Sequence, residues 1–138
     1  MAFHPYRFFS DGTCRDAFTR YREIFGGELE VMSFADAPAG EAPPGGRPDL
    51  VMHAALTFGD HLLMGSDDPT GDGGPATGVA IHFTATDVDH AERVFAALVD
   101  GGEEQMPLQP TFWATRFGAC VDRFGTSWMV SVDPPADE

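Results

Sequence analysis

Lysine is missing altogether. The basic side of this 138-residue chain is eight arginines, set against 22 aspartates and glutamates for a formal charge of -14. That absence removes Schiff-base chemistry, a phosphate-cradling ammonium and a lysine general base. A surface this negative repels a phosphate backbone and an anionic leaflet, because affinity for either depends on neutralising charge with Lys or Arg. Neither nucleic acid nor membrane is expected as a partner. The acidity itself keeps a protein soluble and says nothing about its substrate. Cysteine is scarce as well: Cys14 and Cys120 sit in apolar surroundings with no metal-type spacing, which fits reduced core thiols better than a bridge or a zinc site. No apolar run approaches the roughly 18 residues needed to span a bilayer. The stretch from Met1 to Arg7 has neither a basic run followed by an apolar segment nor a small-residue cleavage site. The expected location is the cytoplasm, and the length suits one compact domain over 1–138.

What is present is an internal repeat. The aromatic run from His4 to Phe9 reads as a strand. After Asp11 and Gly12, apolar residues at Cys14, Ala17, Phe18, Tyr21, Ile24 and Phe25 form one stripe of an amphipathic helix, stopped by Gly26 and Gly27. Three strands follow, Glu28 to Phe34, Leu50 to Phe58 and His61 to Ser66, the last pair joined by the tight Gly59-Asp60 turn. The second half repeats the order. Val79 to Thr84 is a strand, Asp87 a cap, and Val88, Ala91, Val94, Phe95, Leu98 and Val99 a second stripe ending at Gly101 and Gly102. Strands at Gln105 to Pro110, Trp113 to Asp122 and Ser127 to Val132 complete it. Module one thus covers about 1–67 and module two about 78–133, with a linker over about 67–77. The Pro- and Gly-rich segment Asp36 to Asp49 reads as a long loop. The glycines of the linker do not make a phosphate loop: no helix follows, no lysine is present, and Asp67, Asp68 and Asp72 repel an anion.

Two strand-helix-strand-strand-strand modules in so short a chain resemble the vicinal-oxygen-chelate superfamily of glyoxalases, bleomycin and fosfomycin resistance proteins and extradiol dioxygenases. Within it the likeness is greatest to the PhnB-like branch. It is carried by Pro5-Tyr6 with Phe9 and Gly12, by Tyr21 and Phe25-Gly26-Gly27, and by Met52-His53-Ala54. Leu63-Met64 with Ser66-Asp67, Phe117-Gly118, Asp122-Arg123-Phe124-Gly125 and Trp128-Met129 continue it. The resemblance implies an α+β fold in which paired βαβββ modules form a curved mixed-sheet cup, and a homodimer, as relatives commonly are. A demethylubiquinone methyltransferase label attaches to parts of that branch, but the chain has no glycine-rich turn between a strand and a helix for a nucleoside cofactor. The superfamily also implies a divalent metal held by His and Glu from the first, fourth, fifth and eighth strands. Those positions fall near His4, on Leu63 or Met64, near Gly78 or Val79, and on Met129. Neither the fourth nor the eighth strand supplies a carboxylate, and a thioether suits hard or borderline ions poorly. No metal and no other cofactor is expected.

The expected cup is lined by Tyr6, Phe8, His53, Met64, His82, Trp113 and Met129. His53 and His82 could orient a substrate carbonyl or exchange a proton near neutral pH, or could be hydrogen-bonded core histidines. Trp113 could stack on a planar ligand or simply fill core. His61 and His90 are expected to be exposed, Trp128 to pack beneath the helices, and Asp67 and Asp122 to hold turns. Arg116 and Arg123 read as solvated pairs with acids. No serine lies on a strand-to-helix elbow of the hydrolase kind. Three readings stay open: a metal-free binder or enzyme for a small apolar or aromatic metabolite, a metal-dependent lyase or dioxygenase of glyoxalase type, and a structural or regulatory dimer without ligand.

Overall fold

The computed structural model describes residues 2–36, 48–69 and 78–135. Most of the expected loop and linker, 37–47 and 70–77, lies outside them. The chain divides into two compact units, Met1–Pro75 and Ala76–Glu138. The first contains β1 (Tyr6–Phe9), α1 (Cys14–Phe25), β2 (Glu28–Ser33), a 3-10 turn (Phe34–Asp36), β3 (Val51–Phe58) and β4 (His61–Asp67). The second contains β5 (Ile81–Thr84), α2 (Val88–Val99), β6 (Glu103–Gln109), β7 (Arg116–Val121) and β8 (Ser127–Val132). Each unit is one four-stranded mixed sheet with one helix, in the orders β1-β4-β3-β2 and β5-β8-β7-β6. Among the described strands only β1 with β4 and β5 with β8 run parallel. This is the expected α+β architecture of repeated βαβββ modules. Among the described residues no helix is long and apolar enough to cross a membrane.

Both helices follow the apolar stripes read from the sequence. Cys14, Ala17, Phe18 and Tyr21 are buried on α1, and Ala91, Val94, Phe95 and Leu98 on α2. Each helix presses a phenyl ring onto a sheet glycine. A Cβ at Gly65 in β4 would lie 2.7 Å from Phe18 Cε1 and 2.7 Å from the Arg7 carbonyl oxygen; one at Gly118 in β7 would lie 2.9 Å from Phe95 Cε1. Because side chains alternate along a strand, these contacts assign the faces. Arg7, Phe9, Ala54 and Leu56 turn toward α1, while Tyr6, Phe8, His53, Ala55 and Met64 occupy the helix-free face. In the second unit Cys120, Trp128 and Val130 turn toward α2, leaving His82, Phe117, Ala119, Met129 and Ser131 on the other side.

Two buried aspartates tie these layers. Thr13 offers α1 no side-chain cap. Instead Asp67, at the end of β4, accepts from the Cys14 amide at 3.0 Å through Oδ1 and from the Val51 amide at 2.8 Å through Oδ2. The expectation that Asp67 holds a turn is corrected: it joins the start of α1 to the start of β3. Asp122 does hold its turn, accepting from the Phe124 and Thr126 amides at 2.9 and 3.0 Å, and its second oxygen takes the Trp128 indole N–H at 2.8 Å. Trp128 is buried as expected, and Asp87 caps α2 by accepting from the His90 amide at 2.8 Å.

Several strand ends differ from expectation. β1 starts at Tyr6 and β5 at Ile81, leaving His4 and Val79 exposed outside them. β6 starts earlier, at Glu103, and accommodates Pro107 as an edge strand with two register shifts. β7 starts at Arg116 because Thr111 and Ala114 close a turn, the Thr111 amide donating to the Ala114 carbonyl at 3.2 Å.

Gly65→Ala is expected to cost about 1–3 kcal/mol, the range for overpacking a tight contact, since a backbone oxygen blocks relaxation; denaturant melts measure it. Burial pushes the Cys120 thiol up to about 11, with Asp122 and Glu104 adding to the rise, and raises Cys14 as well. A folded thiol that resists ionising stabilises the fold fully below about pH 8.5, where an unfolded thiol titrates. The melting temperature should therefore fall between about pH 8.5 and about 11. Cys120→Ala should flatten part of that fall.

Candidate functional site

The candidate residues divide between the two units. In the first, Tyr6, Phe8, His53 and Met64 share the helix-free face, with Tyr6 opposite Met64 in the parallel ladder. Tyr6 and Phe8 are 38% and 61% exposed, so neither is core. Their rings lie 5.0 Å apart, and Tyr6 lies 5.7 Å from the His53 ring. The Tyr6 hydroxyl is 3.1 Å from His53 Nδ1. On β2, Met32 stands opposite His53 and Glu30 opposite Ala55, extending the same face.

In the second unit His82 stands opposite Met129, and His82 Nε2 lies 2.7 Å from the Ser131 hydroxyl. Ser131 is buried while His82 is exposed. Trp113 precedes β7, half-exposed, and meets Phe117 edge-on at 5.4 Å. It does not fill core. Each unit therefore offers an imidazole hydrogen-bonded to a hydroxyl, beside a methionine and an aromatic ring. The roles are exchanged: the hydroxyl comes from β1 in the first unit, the imidazole from β5 in the second.

Sequence reasoning placed these histidines on the right strands and named Tyr6 on the same face as His53, but it missed the hydrogen bond of each imidazole to a hydroxyl and did not include Ser131 among the site residues. The bonded residues are 47 and 49 apart in the chain, and the only signal was the alternation that put Ser131 in phase with Met129. Among the remaining candidates, His61 is exposed as expected. His90 is not: it is half-buried, accepts from the Thr86 amide at 3.1 Å through Nδ1 and lies 5.5 Å from the Phe83 ring. Arg123 pairs with Asp100 at 3.1 Å, and Arg116 donates to the Thr115 carbonyl at 2.8 Å.

Residues 9–130 match the model of the Glyoxalase/Bleomycin resistance protein/Dioxygenase superfamily. The chain belongs to this superfamily. It is 32% identical over 141 residues to Protein YjdN of Escherichia coli, covering 96% of this chain and 95% of that protein. Among solved structures it is similar to protein PA1353 of Pseudomonas aeruginosa, with 42% identity, a TM-score of 0.86 and coverage of 96% and 98% of the two chains. A PhnB protein from Bacillus cereus is 23% identical with a TM-score of 0.75, covers 96% of this chain and 99% of its own, and shares the fold.

Superfamily membership raises the divalent metal directly. The internal repeat makes the Tyr6–Met64 pair of one ladder correspond to the His82–Met129 pair of the other. His4, Gly78 and Val79 lie outside β1 and β5, so within the ladders the residues facing Met64 and Met129 are Tyr6 and His82. Neither the phenol beside a thioether in the first unit nor the imidazole beside a thioether in the second fits a hard or borderline divalent ion. No group of three His, Cys, Asp or Glu side chains among the described residues is arranged to hold one.

Because Tyr6 is exposed, Tyr6→Phe should change stability by no more than about 0.5 kcal/mol, whereas His82→Ala, which leaves the buried Ser131 hydroxyl without the imidazole, should cost about 1–3 kcal/mol. Asp122→Ala should cost about 1–3 kcal/mol for each buried donor it strands. Urea melts of the three variants, run side by side, measure these costs.

Proposed function

We propose that this superfamily member binds a small, largely apolar or aromatic metabolite without a metal, using the helix-free faces of its sheets, and that it works as a homodimer. The observation that supports this reading is the donor chemistry: the residues facing Tyr6 and His82 in the parallel ladders are Met64 and Met129, thioethers on the two strands from which the superfamily resemblance implies a carboxylate. What those faces do offer is ring and thioether surface. Tyr6, Phe8 and Met64 supply it in the first unit, and Phe117, Met129 and Trp113 in the second, with one imidazole-hydroxyl couple on each. Apolar walls with a few placed polar groups are the usual make-up of a small-molecule site.

Membership in the superfamily and the solved relatives support the reading at the level of fold. The fold likeness to the PhnB protein of Bacillus cereus supports placing the chain in the PhnB-like branch. A methyltransferase activity gains no support from the fold: the described strands form two small mixed sheets, not a doubly wound sheet with a nucleotide-binding turn.

Protein purified without chelator should contain far less than one equivalent of Zn, Ni, Fe or Mn by elemental analysis. Denaturation should release an organic compound detectable by mass spectrometry. His53→Ala should reduce the amount retained while leaving the melting temperature nearly unchanged. Stoichiometric metal would overturn the proposal in favour of the metal-dependent lyase or dioxygenase reading, and loss of stability with unchanged retention would return His53 to the scaffold.

A further inference from the structure

The pairing of Tyr6 with His53 specifies more than an aromatic ligand. The phenol oxygen lies 3.1 Å from Nδ1. A phenol is a strong donor and, because its lone pairs are conjugated with the ring, a weak acceptor; a neutral imidazole carries one N–H and one bare nitrogen. The pairing that satisfies both has the Tyr6 hydroxyl donating to Nδ1, which leaves the ring proton on Nε2. Among the described residues His53 Nε2 makes no hydrogen bond. The centroid of the Tyr6 ring lies 5.7 Å from that of the imidazole, and the Phe8 ring lies 5.0 Å from Tyr6.

We propose that Tyr6 fixes the His53 tautomer so that Nε2–H stands as a donor, and that this face takes a neutral, planar aromatic carbonyl compound. Its C=O oxygen accepts from Nε2–H and its rings lie against Tyr6 and Phe8. Neutrality follows from charge. Glu30 lies on the same face, opposite Ala55, and the chain carries -14 overall, so a carboxylate or phenolate acceptor is repelled. This inference rests on the binder reading above and narrows it to one chemical class, with His53 as the group that recognises the ligand and Tyr6 as its positioning residue.

Three tricyclic probes of nearly the same shape test it: fluorenone, which presents an acceptor, carbazole, which presents a donor, and fluorene, which presents neither. By equilibrium dialysis against the full chain, fluorenone should bind about 5–10-fold more tightly than fluorene, the effect of one net hydrogen bond, and carbazole no more tightly than fluorene. Tyr6→Phe keeps the ring and releases the tautomer, so fluorenone should weaken by about twofold or less, the share of rings whose proton moves to Nδ1, while fluorene itself is unchanged. Nitrogen-15 spectra of the imidazole should show Nδ1 unprotonated in the wild type and a mixture of tautomers in Tyr6→Phe. Equal binding of all three probes, tightest binding of carbazole, or a protonated Nδ1 in the neutral wild-type ring overturns the inference and leaves the binder reading standing. Failure of all three to bind overturns both.

Discussion

Everything on the helix-free faces depends on a steric constraint on the opposite side of each sheet. Phe18 rests against Gly65 and Phe95 against Gly118, at distances that leave no room for a Cβ. A strand alternates with a period of two, so fixing one residue toward the helix fixes every other residue of that strand, and the ladders carry the phase to its neighbours. A slip of one residue would send Tyr6, His53 and Met64 into the helix interface and bring Arg7 and Ala54 out. The burial of Phe18 and Phe95 beneath their helices is therefore what holds two exposed aromatic faces in place. Apolar packing on one side specifies polar chemistry on the other.

The repeat is conserved in shape more than in chemistry. Both units use one parallel pair at the same place in the order, β1 with β4 and β5 with β8, and both place a methionine on the last strand of that pair. Yet the glycine beneath the helix lies in β4 in one unit and in β7 in the other, and the first strand supplies the hydroxyl in one unit and the imidazole in the other. The buried aspartates diverge too. Asp67 bridges elements distant in sequence, whereas Asp122 organises a turn and holds an indole. Two halves with one backbone plan thus present different functional groups, a phenol with an imidazole on one side and an imidazole with an aliphatic hydroxyl on the other.

How much of this could be read from the chain alone follows from the range of each interaction. Both helices were legible because their stripes at Cys14 to Phe25 and Val88 to Val99 repeat within a few residues, and glycines or a capping Asp87 mark their ends. The strand phases of Tyr6, Phe8 and His82 were legible from alternation. The starts of β1, β5 and β7 were not; that of β7 is set by the Thr111–Ala114 turn, whose hydrogen bond composition does not reveal. Least legible were the contacts of Tyr6 with His53 and His82 with Ser131. They depend on the register between strands far apart in the sequence, and no local pattern encodes it.

One feature of the first unit bears on how such a chain tolerates change. Around the segment 37–47 the flanks are clamped to each other: the Phe34 amide donates to the Leu50 carbonyl and the Ala35 amide to the Pro48 carbonyl, while Asp67 grips the Val51 amide. His53 stands two residues beyond that grip. Lengthening or shortening the intervening stretch therefore adds or removes chain without shifting the imidazole, because the anchor lies on β4 rather than in the stretch itself. Such insulation lets the length of one part of the molecule change while a neighbouring part stays in register.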